Sequence, residues 1–257
     1  MKELVNWYFS VNERGVQFAS HQIAAAVKSA KLNTHLKPHC LYNGSSAENI
    51  AWLEDQGAVV IRHEASFAKE LKVGYGKNYR IFSGHWLRVD IPVIEDEEEF
   101  VLYTDIDVMF LRHPTFETPP DLLGVVSEDR DGASFFNNGV MIMNVPRLKE
   151  CHNAFTNAIR KRLLNDFKYP AHDQASYNRF FRGKTNEIAR ELNWRPYWGK
   201  NEDAAIVHFH GPKPEQVELL VNGEPHDIGE NLIALWERDR VGYQYFTDLY
   251  DGIVKAA

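Results

Sequence analysis

The chain has 257 residues, 44% of them hydrophobic and 25% charged, which suits a folded globular protein and excludes disordered, collagen-like and disulfide-framed classes. A formal net charge of −7 leaves no broad positive field for nucleic acid or anionic lipid, so any phosphate must be met locally. Two cysteines, Cys40 and Cys151, are too few and too far apart for a zinc ribbon or disulfide set, and they point to a reducing, cytoplasmic setting. The first residues lack a basic-then-apolar leader, and no run reaches the roughly 18 apolar residues that span a bilayer. A folded patch for peripheral membrane attachment stays open.

Apolar spacing predicts a strand over 4–11, a turn over 12–15, and a helix whose Ile23, Ala26, Val27 and Ala30 share one face. A second strand over 39–42 ends at Asn43-Gly44. Ser45 with Glu48 forms a capping box for a helix through Trp52, which Gly57 ends. A third strand over 58–62 follows, so strands and helices alternate as a mostly parallel sheet requires. Residues 83–91 read as a helix closed by Pro92, and the acidic run 95–99 as a solvated loop. The strand 100–104 then delivers Asp105 and Asp107 at its C-terminal end, where ligands of open α/β sheets bind. Strands over 122–127 and 136–145, a long helix over 147–167, a strand over 204–209 and a closing helix over 231–254 complete the chain. No repeat or linker interrupts it, so one domain is expected.

Two carboxylates one residue apart point to opposite faces of a regular strand, but where the backbone turns both can converge on a cation. Apolar residues bracket Asp105 and Asp107 on both sides, so the acids face an interior or a cleft, where uncompensated charge is costly. Two readings are open from this pattern: a divalent-ion site, or a turn whose aspartates cap nearby amides. The flanking hydrophobic residues favour the ion. Carboxylates suit Mg²⁺ or Mn²⁺, and such an ion neutralises charge on a departing diphosphate.

Three further segments carry polar groups in apolar settings. The stretch 206–214 offers His208, whose imidazole favours Mn²⁺, Gly211 for close backbone approach, and Lys213 as a point charge for phosphate. A packed histidine is the plainer reading there. In Phe135-Phe-Asn137-Asn138-Gly139, the amides suit sugar hydroxyls and the glycine admits a ligand, against a bulge entering a core strand. His172-Asp173-Gln174 opens a helix with Asp173 as N-cap, and at a cleft Asp173 and Gln174 would meet sugar hydroxyls. Trp194-Arg195-Pro-Tyr197-Trp198 reads either as a stacking platform for a sugar or as a packed loop.

Tyr103-Thr-Asp105-Ile-Asp107-Val, Phe136-Asn-Asn-Gly-Val-Met, His172-Asp-Gln and His208-x-x-Gly with a following lysine occur in one order. Together they resemble glycosyltransferase family 8, the glycogenin-like and lipopolysaccharide galactosyl- and glucosyltransferases. The resemblance implies an α/β GT-A fold, Rossmann-like, with a central, mostly parallel mixed sheet flanked by helices. It implies a single domain over 1–257, with a nucleotide-binding half over 1–110 and a sugar and acceptor half over 111–257. It also implies a metal site of Asp105, Asp107 and His208 for Mn²⁺ or Mg²⁺. Donor contacts follow from Arg88, Asp105, Asn137, Asn138, Gly139, Gly211 and Lys213, with Asn137, Asp173 and Gln174 at the transferred sugar.

The implied reaction moves a hexose, with retention, from a nucleotide-sugar donor such as UDP-glucose or UDP-galactose to a glycan, lipid-linked or protein acceptor. Departures from the family pattern fall on the base and the phosphate loop. Ser10-Val-Asn12-Glu13 stands where an acid normally reads the uracil. Lys213 follows His208 by five positions rather than six, Glu215 replaces a tryptophan, and His210 enters the loop. Two rival classes are carried beside this one. A haloacid-dehalogenase-type phosphatase accounts for Asp105 and Asp107 but gives the His208 segment no role, and a degenerate transferase fold would bind sugar or a partner without catalysis.

Overall fold

The computed structural model describes residues 2–128, 135–165 and 173–255. In chain order the first elements are β1 (Lys2–Glu3), β2 (Asn6–Asn12), α1 (Glu13–Asn33), β3 (Lys37–Asn43), α2 (Ala47–Gln56) and β4 (Val59–Arg62). After α3 (Ala68–Tyr75) and α4 (Tyr79–Phe82), a 3₁₀ run over Ser83–Asp90 leads into α5 (Ile91–Ile94) and β5 (Phe100–Thr104). Next come β6 (Val108–Phe110), β7 (Thr115–Phe116), β8 (Leu123–Ser127), β9 (Phe136–Asn144), α6 (Val145–Asn165), α7 (Asp173–Phe180) and β10 (Thr185–Glu187). The chain closes with β11 (Ile206–His208), α8 (Pro214–Val221), α9 (Glu230–Arg238) and α10 (Arg240–Lys255).

Several boundaries differ from the pattern reading because a local polar group decides them. No turn separates β2 from α1: the Asn12 side-chain oxygen accepts from Gly15 N at 2.8 Å and caps the helix, which begins at Glu13. Ser46 rather than Ser45 caps α2, accepting from Asn49 N at 3.2 Å, since the Glu13 carboxylate takes the Ser45 and Ser46 amides at 2.8 and 3.1 Å. Gly57, at φ 102°, ends α2 as expected. The segment before Pro92 is 3₁₀ rather than α. Pro92 does not close it but sits in the first turn of α5, where a missing N–H costs nothing. The closing helix is two, because Asp239 leaves helical geometry and its carboxylate accepts from Gly242 N at 2.7 Å, capping α10. The end of the expected 147–167 helix passes outside the described residues.

Two compact units interleave along the chain: Met1–Ser20, Leu36–Ile106 and Thr115–Ile188 form one, while His21–His35, Asp107–Pro114 and Ala189–Ala257 form the other. The first holds a seven-stranded sheet in the order β10-β8-β9-β5-β2-β3-β4. The strands β5, β2, β3 and β4 pair in parallel, and β9 enters antiparallel beside β5. β5 and β9 are buried at every position, Asn137, Asn138 and Asn144 of β9 included, as in a sheet covered on both faces. Phe67, Leu71, Trp86, Met141, Met143, Phe155 and Phe181 belong to the core of this unit.

In the second unit β11 pairs antiparallel with β6, and the Ile23, Ala26, Val27 and Ala30 face of α1 is buried as its spacing requires. All of Trp194 to Trp198 is buried as well, with Arg195 stacked 4.3 Å over the Trp198 ring, so this is a packed loop and not a sugar platform. Among the described residues no helix is long and apolar enough to cross a membrane.

The acidic run is only partly solvated. Glu95 is buried, and its carboxylate accepts from Asn6 Nδ2 and Tyr8 OH, each at 2.9 Å, and from the Glu97 and Glu98 amides at 2.8 and 3.1 Å. Burial raises its pKa, but these hydrogen bonds outweigh burial and hold it below the usual glutamate value. A group lowered in the folded state adds stability above the unfolded-state pKa, and that stability fades as pH falls through the folded value. Glu95→Ala should cost about 1–3 kcal/mol at neutral pH, the penalty for stranding buried donors. Urea denaturation at pH 7 and at pH 4 should show the difference between wild type and Glu95→Gln shrinking at the lower pH; a constant difference would refute this account.

Candidate functional site

The fully buried β5 runs to Thr104, and the chain turns through Asp105-Ile106-Asp107 before β6. The Asp105 amide donates to Gly139 O at 2.7 Å, and the Phe209 amide donates to Asp107 O at 2.9 Å. β9 therefore anchors the first aspartate and the end of β11 anchors the second. Asp105 lies at the end of a segment of the first unit, and Asp107 opens a segment of the second, where its Oδ1 lies 3.4 Å from His208 Nε2.

Arg88 organises the surroundings of Asp105. Its guanidinium, 1% exposed, donates to Asp105 Oδ1 at 2.7 Å and to Asn138 O at 2.9 Å, with Nε 3.4 Å from Asp173 Oδ2. It lies 4.3 Å over the Tyr103 ring, and the Tyr103 hydroxyl donates to the same Asp105 oxygen at 3.0 Å. Burial opposes charge on Arg88, yet the neighbouring carboxylates raise its pKa further. Asp105 Oδ1 is thus occupied by protein donors.

Asp107 and His208 form the other part. Burial disfavours the Asp107 carboxylate, but the Lys213 ammonium beside it holds its pKa well below the usual range. Lys213 Nζ donates to Asp107 Oδ2 at 2.6 Å and to Phe209 O at 2.7 Å, so its ammonium neutralises the aspartate. His208 Nδ1 faces Asn193 Oδ1 at 3.0 Å, and Asn193 is fully buried. That contact places the ring proton on Nδ1 and turns the Nε2 lone pair toward Asp107 Oδ1, 3.4 Å away. Two acceptors facing each other is an arrangement that a cation satisfies, and the amide behind the imidazole is how metal-binding histidines are held.

The rest of the phosphate loop is closely packed. Burial first, then nearby positive charge including that of Arg195 and Lys213, pushes the His210 pKa down to about 3, so this second imidazole is neutral and contacts the Tyr197 hydroxyl at 3.3 Å. Gly211 adopts φ 115°, and a side chain there would also run into the Tyr243 hydroxyl, which donates to His210 O at 2.9 Å. Tyr243 fills the side of Gly211 that a β-carbon would occupy.

On β9, Asn137 Oδ1 accepts from Gly139 N at 2.9 Å, and Asn138 Nδ2 donates to Asp173 Oδ2 at 2.8 Å. Gln174 Oε1 lies 3.4 Å from both Asn137 Nδ2 and Asn138 N, while its amide donates to Glu128 at 3.3 Å. The structure therefore brings Arg88, Asp105, Asn137, Asn138, Gly139, Asp173 and Gln174 into one connected set. Asp173 lies in the first turn of α7 and is the first described residue of that helix, and His172 lies outside the described residues.

Pattern reading did not identify Asn178 or Asn193 as site supports. Asn178 exchanges two 2.8 Å hydrogen bonds with the Phe136 backbone and locks α7 onto β9. A lone asparagine in a helix or a 3₁₀ turn carries no linear pattern, and only its non-local partner reveals the role. Asn193→Ala, by freeing the His208 ring, should weaken Mn²⁺ binding 10–100-fold in calorimetric titration; unchanged affinity would rule out the supporting role.

The family model Glycosyl transferase family 8 matches residues 124–214, the stretch carrying Asn137, Asp173, Gln174, His208, Gly211 and Lys213. No curated protein matches the chain by sequence. Among solved structures, the galactosyltransferase LgtC in complex with donor and acceptor sugar analogues is similar over 98% of each chain, at 20% identity and a TM-score of 0.64. Apo-form GlyE of Streptococcus pneumoniae TIGR4 is similar over 98% of this chain, at 15% identity and a TM-score of 0.61, but the chain spans only 64% of its length. Mouse xyloside xylosyltransferase 1 follows at 13% identity and a TM-score of 0.54, over 82% of this chain and 98% of that one. These likenesses establish the fold. The family match covers about a third of the chain, and the fold it shares with these solved glycosyltransferases is GT-A.

Proposed function

We propose that the protein transfers a hexose from a nucleotide-diphosphate sugar, UDP-glucose or UDP-galactose, to a hydroxyl of a glycan, lipid-linked or protein acceptor. Transfer is metal-dependent and retains anomeric configuration. The observation that carries this reading is His208 Nε2 facing Asp107 Oδ1 at 3.4 Å, with Asp105 two residues earlier in the chain as the further carboxylate. Two carboxylates and an imidazole suit Mn²⁺ better than Mg²⁺. Once bound, the ion supplies positive charge for the leaving diphosphate. The free thiols Cys40 and Cys151 support a cytoplasmic setting.

The side chains then take these parts. Lys213, whose ammonium pairs with Asp107 Oδ2, exchanges that partner for a donor phosphate oxygen when the carboxylate turns to the cation. Arg88 keeps Asp105 and Asp173 in place, its single positive charge shared between them. Asn137, Asn138 and Gln174 present amides toward the sugar. In transfer, the bond from the anomeric carbon to the diphosphate oxygen breaks with its electron pair going to that oxygen. The acceptor oxygen forms the new bond on the same face, and its proton passes to the leaving phosphate. Asp173 is tied by Asn138 at 2.8 Å and faces Arg88 at 3.4 Å, which suits orientation of the sugar better than nucleophilic attack and supports the front-face route over double displacement.

Purified protein should hydrolyse a UDP-sugar slowly with Mn²⁺ and lose that activity in chelator. Asp107→Ala and His208→Ala should lower the rate on the order of 10²–10³-fold. Full turnover in chelator, or in either variant, would end the metal-site assignment. Failure of every nucleotide sugar to bind would favour a non-catalytic role. Asp173→Asn should retain measurable transfer; its complete loss together with a sugar adduct on wild-type protein by mass spectrometry would establish double displacement.

A further inference from the structure

A cavity of about 930 Å³ opens at the C-terminal ends of β2, β3 and β4, lined among others by Asn12, Tyr42, Arg62, His63 and Tyr79. Ligands of open α/β sheets bind at this edge. Its polar groups are not equally available to a ligand. The Asn12 amide is spent on the protein: Oδ1 accepts from Gly15 N, and Nδ2 donates to Arg80 O at 3.0 Å and to Ser83 Oγ at 3.1 Å. Glu13 Oε1 is held by the Ser45 and Ser46 amides, and the Tyr79 hydroxyl donates to Glu64 at 3.0 Å. The Asn12 amide is therefore not placed to read a base.

His63 differs. Its Nε2 donates to Asp90 Oδ2 at 2.8 Å, which puts the ring proton on that nitrogen and leaves Nδ1 as an acceptor lone pair. Asp90 is fully buried and also accepts from His152 Nε2 at 2.8 Å, Ser66 N at 2.6 Å and Ser66 Oγ at 2.9 Å. Burial raises its pKa, and these donors more than offset that and hold it ionised. A carboxylate so fixed orients the imidazole and makes Nδ1 a better acceptor.

Strand order says which part of a donor would reach this ring. Asp105 follows β5, and His63 follows β4, with β2 and β3 between them. At about 4.8 Å per strand the two lie roughly 14 Å apart across the sheet edge. In a nucleoside diphosphate whose phosphates sit at Asp105, the ribose comes next and the base lies farthest away.

We infer that His63, held by Asp90, is the residue that selects the donor base, its Nδ1 accepting the imide N–H of a uracil-type ring. The inference rests on the nucleotide-sugar reading above. It moves base recognition from the β2–α1 turn to the end of β4. Asp90 acts through His63 as a positioning residue, and it shares the Ser83–Asp90 run with Arg88, so base and metal-side contacts are built on one short segment.

Calorimetry in Mn²⁺ with UDP and with N3-methyl-UDP, which lacks the imide hydrogen, tests this on wild type and His63→Phe. Wild type should bind UDP about tenfold more tightly than the methylated form. His63→Phe should bind the two alike, with UDP weakened to the level of its analogue; a merely structural effect would weaken both ligands and keep their ratio. Equal binding by wild type, or a ratio retained in His63→Phe, overturns the inference. If wild type binds UDP in neither the presence nor the absence of Mn²⁺, the donor reading fails first and the base assignment falls with it.

Discussion

The buried Arg88 guanidinium is the interaction on which the sheet-borne part of the site depends. It joins the 3₁₀ run to the end of β5 through Asp105, to β9 through the Asn138 carbonyl and to the start of α7 through Asp173. A guanidinium can do this because its donors form a rigid fork, whereas an ammonium offers one point of charge. Two acids and one cation in an apolar surround are tolerable only together. Removing one member of such a set leaves a buried charge unpaired, at a cost on the order of 3–5 kcal/mol. The same residue that neutralises Asp105 also keeps one of its oxygens engaged and so limits how that carboxylate can meet a cation.

A similar rule recurs wherever an acid is buried in this protein. Glu95 is answered by amides and a tyrosine hydroxyl, Asp90 by two imidazoles and a serine, and Asp107 by Lys213. Glu95 and Asp90 meet their demands inside the protein, so neither carboxylate is left to meet a ligand directly. Asp107 does not: Lys213 is a flexible cation, and the His208 lone pair facing it is unsatisfied in the absence of a positive charge. Burial of an acid is therefore not in itself a sign of function. What separates the reactive acid from the structural ones is whether its partners are fixed donors or groups that can be exchanged for a ligand.

The resemblance to glycosyltransferase family 8 was legible because its motifs lie at strand ends, where sequence pattern and position in the fold coincide. Asp105 and Asp107 follow an unbroken apolar strand, and His208 ends another, so their convergence could be argued from linear pattern. The supports were not legible. Asn193 behind His208, Asn178 between α7 and β9, and Asp90 beneath His63 act through partners 15, 42 and 27 residues away. Short elements such as β6, β7 and β10 span two or three residues and carry no periodicity to read.

Sequence by itself determined the alternation of strands and helices, the apolar face of α1, the buried strands β5 and β9, and which residue types stand at the strand ends. These follow from periodicity and local chemistry, which act within a few residues. Tertiary structure alone decided which polar groups are spent and which remain available. The acidic run proved half-structural, the aromatic loop over 194–198 proved to be core, and the closing helix broke at Asp239. It also showed the Asn12 amide consumed by its own neighbours while His63 kept a lone pair. Hydrogen-bond satisfaction depends on groups brought together from distant parts of the chain, so no local pattern could have settled it.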